Sequence, residues 1–352
     1  MQLQKELLDH FKAMMGPHGL YQHATIREPL LSEGYCTDDN ARAMQMLVRL
    51  TPLISSDLKP IVQTLFQRCW DFICQAQIRP GYFTNFRSAT GEWLPQGLVE
   101  SEDMYARLIR ALVEVMHSPA YAHYHAEAAS MLEPLLTRAS EMNAPRFWAE
   151  YLIATKDMPN SDPKALQTLV SLWEQNASED WPWFESSMTY ANALFPHGLL
   201  CALHKKNDEH TERILHQSAR FVISSTIRNG IFIPIGSNGW YPKGGAPSAD
   251  NQQAIEAGVM LDFMIDYQRA YPDRVRVEDI AAVYLWFFGK NTNSVLMADE
   301  KTGACLDGIF LTGPNLNNGA ESMLAYQWAE IRLYEASQGV QQYVVKQKSL
   351  IS

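Results

Sequence analysis

Helical periodicity runs through most of this 352-residue chain and comes in two alternating kinds, and that alternation constrains its fold more than any other feature. One kind is plain and amphipathic, with a charged side: Gln2–Met15, Leu58–Gln77, Ala120–Ser140, Pro163–Gln175, Asp208–Thr226 and Val277–Gly289. The other kind opens on a polar cluster and then turns strongly apolar: Asp38–Leu50, Glu102–Met116, Pro145–Thr155, Tyr190–His204, Asp250–Tyr267 and Ala320–Gln338. Small residues recur in the second kind, among them Ala41, Ala43, Ala106, Ala257, Gly258 and Ala325, and they permit close packing between helices. Six plain and six apolar stretches in alternation predict six helical hairpins. An open array would expose two end surfaces, so the expectation is closure: an all-α chain of twelve helices, 1–352 as one (α/α)6 toroid domain. Pro196 falls inside the fourth inner stretch and should kink that helix or make it start late.

The starts of the inner stretches resemble one another. Thr37-Asp38-Asp39-Asn40-Ala41 can be laid on Ser101-Glu102-Asp103-Met104-Tyr105, on Thr189-Tyr190-Ala191-Asn192-Ala193 and on Ser248-Ala249-Asp250-Asn251-Gln252. Each offers a hydroxyl as N-cap, and Thr37 is the expected cap of the first. In an alternating ring all inner helices run the same way, so their N-termini open at one end. The loops that lead into them are long: Pro17–Cys36, Pro80–Glu100, Trp181–Met188, Asn229–Pro247 and Thr302–Asn317. Long loops on one face of a rigid scaffold are where function concentrates.

Those loops carry Trp93, Trp181, Trp183, Trp240 and Tyr241, joined by Tyr21, Tyr35 and Tyr82. Pyranose rings stack their C–H faces on aromatic rings, and their hydroxyls take bidentate polar side chains. The acids in or beside the mouth are Asp38, Asp39, Glu100, Glu102, Asp103, Glu185, Asp250, Glu256, Asp307 and Glu321. Glycoside cleavage needs two carboxyl groups across the scissile bond, one of them kept protonated by burial or a like-charged neighbour. Asp38 and Asp39 splay by about 100° around a helix, so they serve different points. The plain alternative for Asp103 and Asp250 is service to a helix dipole, and for Glu321 a capping box with Asn318.

Other chemistries are disfavoured. The formal net charge of -10 argues against nucleic acid as a partner. No H-E-x-x-H, Asp-rich calcium loop, phosphate loop, dinucleotide fingerprint or G-x-S-x-G occurs, so no metal and no cofactor is expected. The five cysteines match no zinc or redox spacing and suit a reducing compartment. The first stretch carries Lys5, Glu6, Asp9 and Lys12, unlike a signal peptide, and no apolar run approaches the roughly 20 residues of a membrane span. A cytoplasmic location and no membrane partner are the expectations.

The paired-Asp inner helix of such a toroid resembles the six-hairpin glycosidase superfamily, and bacterial endo-α-1,6-mannanases in it have adjacent catalytic acids; Asp38 and Asp39 are the matching positions. Four motifs in order, Gly34-Tyr35-Cys36-Thr37-Asp38-Asp39-Asn40-Ala41-Arg42, Trp181-Pro182-Trp183-Phe184-Glu185, Gly239-Trp240-Tyr241-Pro242-Lys243-Gly244-Gly245 and Asn318-Gly319-Ala320-Glu321-Ser322, resemble a bacterial helical-toroid family. Its members occur fused to glycosyltransferases or beside mannoside phosphorylases, which implies a glycosyltransferase or glycoside phosphorylase in the same pathway. The pattern leads one to expect acids near Ala191 and at Asn251; Asp250 is shifted from the second by one.

The expected function is a glycoside hydrolase acting on a manno- or gluco-configured oligosaccharide, with inversion favoured by the superfamily resemblance. The expected catalytic set is Asp38, Asp39, Asp103 and Asp250, with Asp39 paired to Asp103 or Asp250 and Asp38 binding hydroxyls. The expected substrate-binding set is His23, Tyr35, Arg42, Trp93, Glu102, Arg107, Trp181, Trp183, Glu185, Asn192, His197, Trp240, Tyr241, Gln252, Glu256, Asp307 and Glu321. Two alternatives stand beside it: a carbohydrate-binding accessory module without turnover, and a sugar epimerase or isomerase using His23 and His197 as an acid/base pair.

Overall fold

The two kinds of stretch become outer and inner helices in the computed structural model, which describes residues 5–98, 101–159 and 162–350. The inner helices are α2 (Thr37–Leu50), α4 (Glu102–His117), α6 (Pro145–Ala154), α8 (Leu194–Lys205), α10 (Ala254–Ala270) and α12 (Ala320–Glu335). The outer helices are α1 (Asp9–Met14, after a 3-10 turn Lys5–Leu8), α3 (Lys59–Ala76), α5 (His125–Arg138), α7 (Pro163–Asn176), α9 (Glu209–Thr226) and α11 (Val277–Leu285). Each inner helix packs on the next, and α12 packs back on α2, so the ring closes. The fold is an all-α (α/α)6 toroid.

Inner helices touch neighbours on nearly every side, so most of their residues are buried. In α6 every residue from Arg146 to Ala154 is buried. Close approach needs small residues where helices cross. A Cβ on Gly198 of α8 would lie 2.9 Å from the Ala149 carbonyl oxygen of α6. Fully burying a large apolar side chain such as Trp148 stabilises by about 1.5–3 kcal/mol, so this inner wall carries much of the core's cohesion.

The sequence-based boundaries need three corrections. The expected last inner helix breaks at Ala336, and a further helix, α13 (Gln338–Lys348), packs on α11 and α12, giving thirteen α-helices among the described residues. Helix α8 starts at Leu194, not Tyr190, which places Pro196 in the first turn, where its missing N–H costs nothing. Helix α10 starts at Ala254, not Asp250. The common cause of the late starts is backbone conformation: Ala191 has φ +47° and Asn251 φ +59°, left-handed positions that a right-handed helix cannot include.

Short antiparallel ribbons tie the mouth loops together. Tyr35–Cys36 pairs with Phe86–Arg87, Ser187–Met188 with Tyr241–Pro242, and Gln252–Gln253 with Gly308–Phe310. Gly308–Phe310 also pairs with Gly313–Asn315. The long loops are therefore pinned to one another in pairs at the N-termini of the inner helices.

Candidate functional site

The paired acids splay as expected. Asp38 points along the ring to α4 and takes a charge-assisted hydrogen bond from Arg107. Asp39 turns inward and is only 7% exposed. The cap of α2 is Cys36, not Thr37. The Cys36 Sγ accepts from the Asp39 N–H at 3.4 Å and donates to the Asp39 carboxylate at 3.1 Å. Thr37 instead donates its hydroxyl to the Thr84 carbonyl at 2.6 Å, anchoring the neighbouring loop. Burial, and then the neighbouring Asp38 charge, push the Asp39 carboxyl up to about 7.

Arg42, one turn on, links three acids. Its Nη1 lies 2.6 Å from Glu321 of α12 and 3.7 Å from Asp39, and its Nε lies 3.6 Å from Asp38. The nearest Asp39 and Glu321 oxygens are thus at most about 6 Å apart and share one guanidinium nitrogen. The Glu321 side chain sits within the funnel yet is 44% exposed through its open mouth. Burial works to raise its pKa, but Arg42 and Arg107 outweigh that and hold it below the usual value. Glu321 does not form the expected capping box: the Asn318 amide donates to the Ile26 and Leu316 carbonyls, and Gly319 is the cap residue.

Arg42 and Glu321 open on a cavity of about 350 Å³ walled by inner helices and mouth loops. Its charged lining is Arg42, Arg107 and Arg110 with Glu150, Asp262 and Glu321. Its aromatic lining is Tyr190, Trp240 and Trp328. Glu150 is 8% exposed and lies 3.6 Å from Arg110. Burial raises its pKa, against the opposing pull of Arg107 and Arg110. Helices α6 and α12 stand three places apart in a six-membered ring, so Glu150 and Glu321 come from opposite walls.

The bore is crossed beneath the cavity. Arg110 of α4 meets Asp262 of α10 at 2.7 Å, and Asp262 also meets Arg332 of α12 at 2.7 Å. Arg332 continues to Asp266 at 2.5 Å, and Asp266 to His197 of α8 at 3.1 Å. Burial works to raise the Asp262 pKa, but Arg332 and Arg110 outweigh it and hold it at about 2.

The remaining expected residues divide between rim and core. Asp103 accepts from the Tyr190 hydroxyl at 2.9 Å at the mouth. Glu256, 7% exposed, accepts from the Ala191 N–H at 2.5 Å, and burial pushes its pKa up to about 7. Ala191, one of the two positions where an acid is expected, instead presents a left-handed backbone that Glu256 holds. His23 is exposed at the rim, near enough to Asp307 and Glu321 to act on both electrostatically. Trp240, at φ +52°, lines the cavity. Glu100 lies outside the described residues.

Several expected ligands are structural in their contacts. Glu102 accepts from the Asn143 N–H at 2.7 Å and from the Ala144 N–H, holding the turn that leads into α6. Asp250 is a loop brace: it accepts from the Leu311 N–H at 2.9 Å and the Asn238 amide at 3.2 Å, outside the cavity lining. Asp307 accepts from the Gly319 N–H at 2.7 Å at the start of α12. Glu185 takes two bonds from Arg146, and Asn192 bonds back to Thr189. Trp181 and Trp183 are 2% and 0% exposed, packed edge-on against Phe221 or Phe195 rather than offered to a ligand. Tyr35 is buried in a stack with Tyr21, Trp93 packs on Phe72, and Tyr241 packs on Trp181. Gln252 is buried and bonded to Thr292 and Trp286. His197 is buried on Asp266, and no histidine lines the cavity among the described residues, so the expected His23–His197 pair is not assembled there.

Sequence reasoning missed Glu150, Arg110, Asp262, Trp328 and Tyr190. The signal for Glu150 was available: it is the lone acid in the apolar run Phe147-Trp148-Ala149-Glu150-Tyr151-Leu152. A charge in an all-buried helix needs a partner or a purpose. Among the described residues no cluster of histidine, cysteine or acid side chains is arranged to hold a metal ion, and no helix is long and apolar enough to cross a membrane.

No family model matches this chain, and no curated protein matches it in sequence. Solved structures do match in fold. A sugar epimerase from a ruminal bacterium aligns at TM-score 0.69 and 9% identity over 95% of this chain and 97% of its own. Cellobiose 2-epimerase from Spirochaeta thermophila aligns at TM-score 0.68 and 12% identity over 97% and 96%. The cellulase Cel9M of C. cellulolyticium, solved with cellobiose, aligns at TM-score 0.59 and 7% identity over 86% of each chain. At such identities the likeness is one of fold.

Proposed function

We propose that this toroid is a carbohydrate-active enzyme that hydrolyses a gluco- or manno-configured glycoside by carboxylate acid/base chemistry. The observation that carries the reading is the pair Glu150 and Glu321, which line one cavity from opposite helices while their surroundings push their pKa values apart. Glu150, raised by burial, is the proton donor to the departing glycosidic oxygen. Glu321, held ionised by Arg42 and Arg107 and wetted through the mouth, is the base that activates water. This moves the acid/base assignment off the Asp39 pairings expected from sequence. Asp39 and Glu321 come from the neighbouring helices α2 and α12 and share one Arg42 nitrogen, whereas Glu150 faces Glu321 from the opposite wall. Asp38 and Asp39 then hold Arg42 and Arg107 in place, and Asp103 with Tyr190 offers hydroxyl-binding groups at the mouth. Two fold neighbours, a cellobiose 2-epimerase and a cellulase solved with cellobiose, support gluco-configured sugars as the first to try.

A second reading, epimerisation or isomerisation, is favoured by one feature. Three guanidiniums line the cavity, and they would stabilise the oxyanion of an enediolate better than the cationic character of a glycosyl transition state. Glu150 would then remove the proton beside the carbonyl.

The test incubates the protein with gluco- and manno-configured mono- and oligosaccharides, with products separated by chromatography and Glu150→Gln and Glu321→Gln as controls. Hydrolysis products that vanish in both variants support the first reading. A change of configuration without chain cleavage selects the second. Binding without turnover of any sugar would overturn both and leave an accessory binding module.

A further inference from the structure

We infer that the funnel is blind: it takes one end of a sugar chain, and the terminal ring stacks on Trp328 at its floor. This deepens the sugar-processing reading above and rests on it.

Three observations converge. First, the bore is closed. Helices α4 and α10 stand opposite each other in the ring, and the Arg110–Asp262 contact joins them at 2.7 Å. Arg332 of α12 braces the same pair through Asp262 at 2.7 Å. A pyranose cannot pass this brace without separating buried, opposed charges, which costs several kcal/mol. A chain therefore cannot thread through the ring and must enter by the mouth.

Second, the floor has a platform. Trp328 follows Glu321 by seven residues, two helical turns further down the same face of α12, or about 10 Å deeper. It lines the cavity and is only partly buried. The Arg110 guanidinium lies 5.5 Å from its ring centroid, so the residue that closes the bore also steadies the indole.

Third, the space is small. A cavity of about 350 Å³ is at the lower end for small-molecule sites and suits a chain end rather than an extended run of sugars. Trp240, carried by a rim loop, lines the same cavity and is the second aromatic surface for a sugar unit.

The experiment measures binding by calorimetry and by tryptophan fluorescence. The probes are linear gluco- and manno-oligosaccharides, the same chains blocked at the reducing end by reduction or at the non-reducing end by methylation, and cyclic gluco-oligosaccharides, which have no end. The expected result is that blocking one end weakens binding about tenfold or more, blocking the other changes it less than about twofold, and the cyclic probes do not bind. Trp328→Ala should weaken binding of the linear probe about tenfold, with Trp328→Phe recovering much of it. Binding that ignores both blocks, or equal binding of cyclic and linear probes, would overturn the inference while leaving a sugar site intact. Failure of every sugar to bind the wild-type protein would overturn the sugar-processing reading and this inference together. Should Trp328→Ala fail to fold, the end-blocked probes on the wild-type protein and Trp328→Phe decide the question.

Discussion

Arg110 and Asp262 meet at 2.7 Å although their helices stand on opposite sides of the ring. Both side chains are largely buried, at 13% and 7% exposure, so the contact replaces water for each of them. Removing one partner leaves the others buried without compensation. Asp262→Ala should therefore lower stability by about 3–5 kcal/mol, read as a drop in the urea midpoint. The pH dependence has a definite sign. The folded pKa of Asp262, about 2, lies below its unfolded value of 3.8. Its contribution is complete above the unfolded value and is lost as pH falls from about 4 towards about 2. Asp262→Asn should flatten that acid slope.

Glu256 predicts the opposite slope. Its folded pKa, about 7, lies above its unfolded value of 4.5. Between those values the unfolded chain binds fewer protons, so stability falls as pH rises through that window. Glu256→Gln keeps an acceptor for the Ala191 N–H and has no charge to bury. Denaturation at pH 5 should find variant and wild type similar, and at pH 8 the variant ahead by on the order of 3 kcal/mol. A variant that trails at both values would contradict this account of Glu256.

The tryptophans should separate by role. Trp183 is fully buried, and Trp183→Ala should cost about 3–5 kcal/mol of stability. Trp240 is partly exposed on the cavity wall, and Trp240→Ala should change stability by less than about 1 kcal/mol while weakening sugar binding. Thermal melts and sugar titrations on the two variants check both statements.

The architecture was legible because an inner helix and an outer helix write different patterns into a chain. All six inner stretches and the six outer ones appear in the ring, and Pro196 falls in the first turn of α8, where its missing N–H is tolerated. Boundaries failed where backbone conformation overrode residue type, as at Ala191 and Asn251. The helix α13 was missed because its apolar pattern is thin: among its residues only Val340 and Val344 are buried, after the extended Ala336 that ends α12. The site was legible at its rim, where Asp38, Asp39, Arg42 and Glu321 do gather. It was illegible at depth. Motif reasoning favours residues at helix starts, whereas Glu150, Arg110, Asp262 and Trp328 sit mid-helix and are brought together only by closure of the ring. Loop aromatics misled for a related reason: the same indole that can stack on a sugar also seals a loop against α9, as Trp181 does on Phe221.

The central claim is that Glu150 and Glu321 act as proton donor and base across one cavity. The most direct measurement is the pH–rate profile of sugar turnover for the wild type, Glu150→Gln and Glu321→Gln, followed by proton NMR. The wild type should give a bell, its acidic limb below the ordinary glutamate value from Glu321 and its alkaline limb above it from Glu150. Each variant should lose its own limb along with about 10²–10⁴ of the rate. Wild-type rates retained in either variant, or a profile whose limbs survive both substitutions, would contradict that claim.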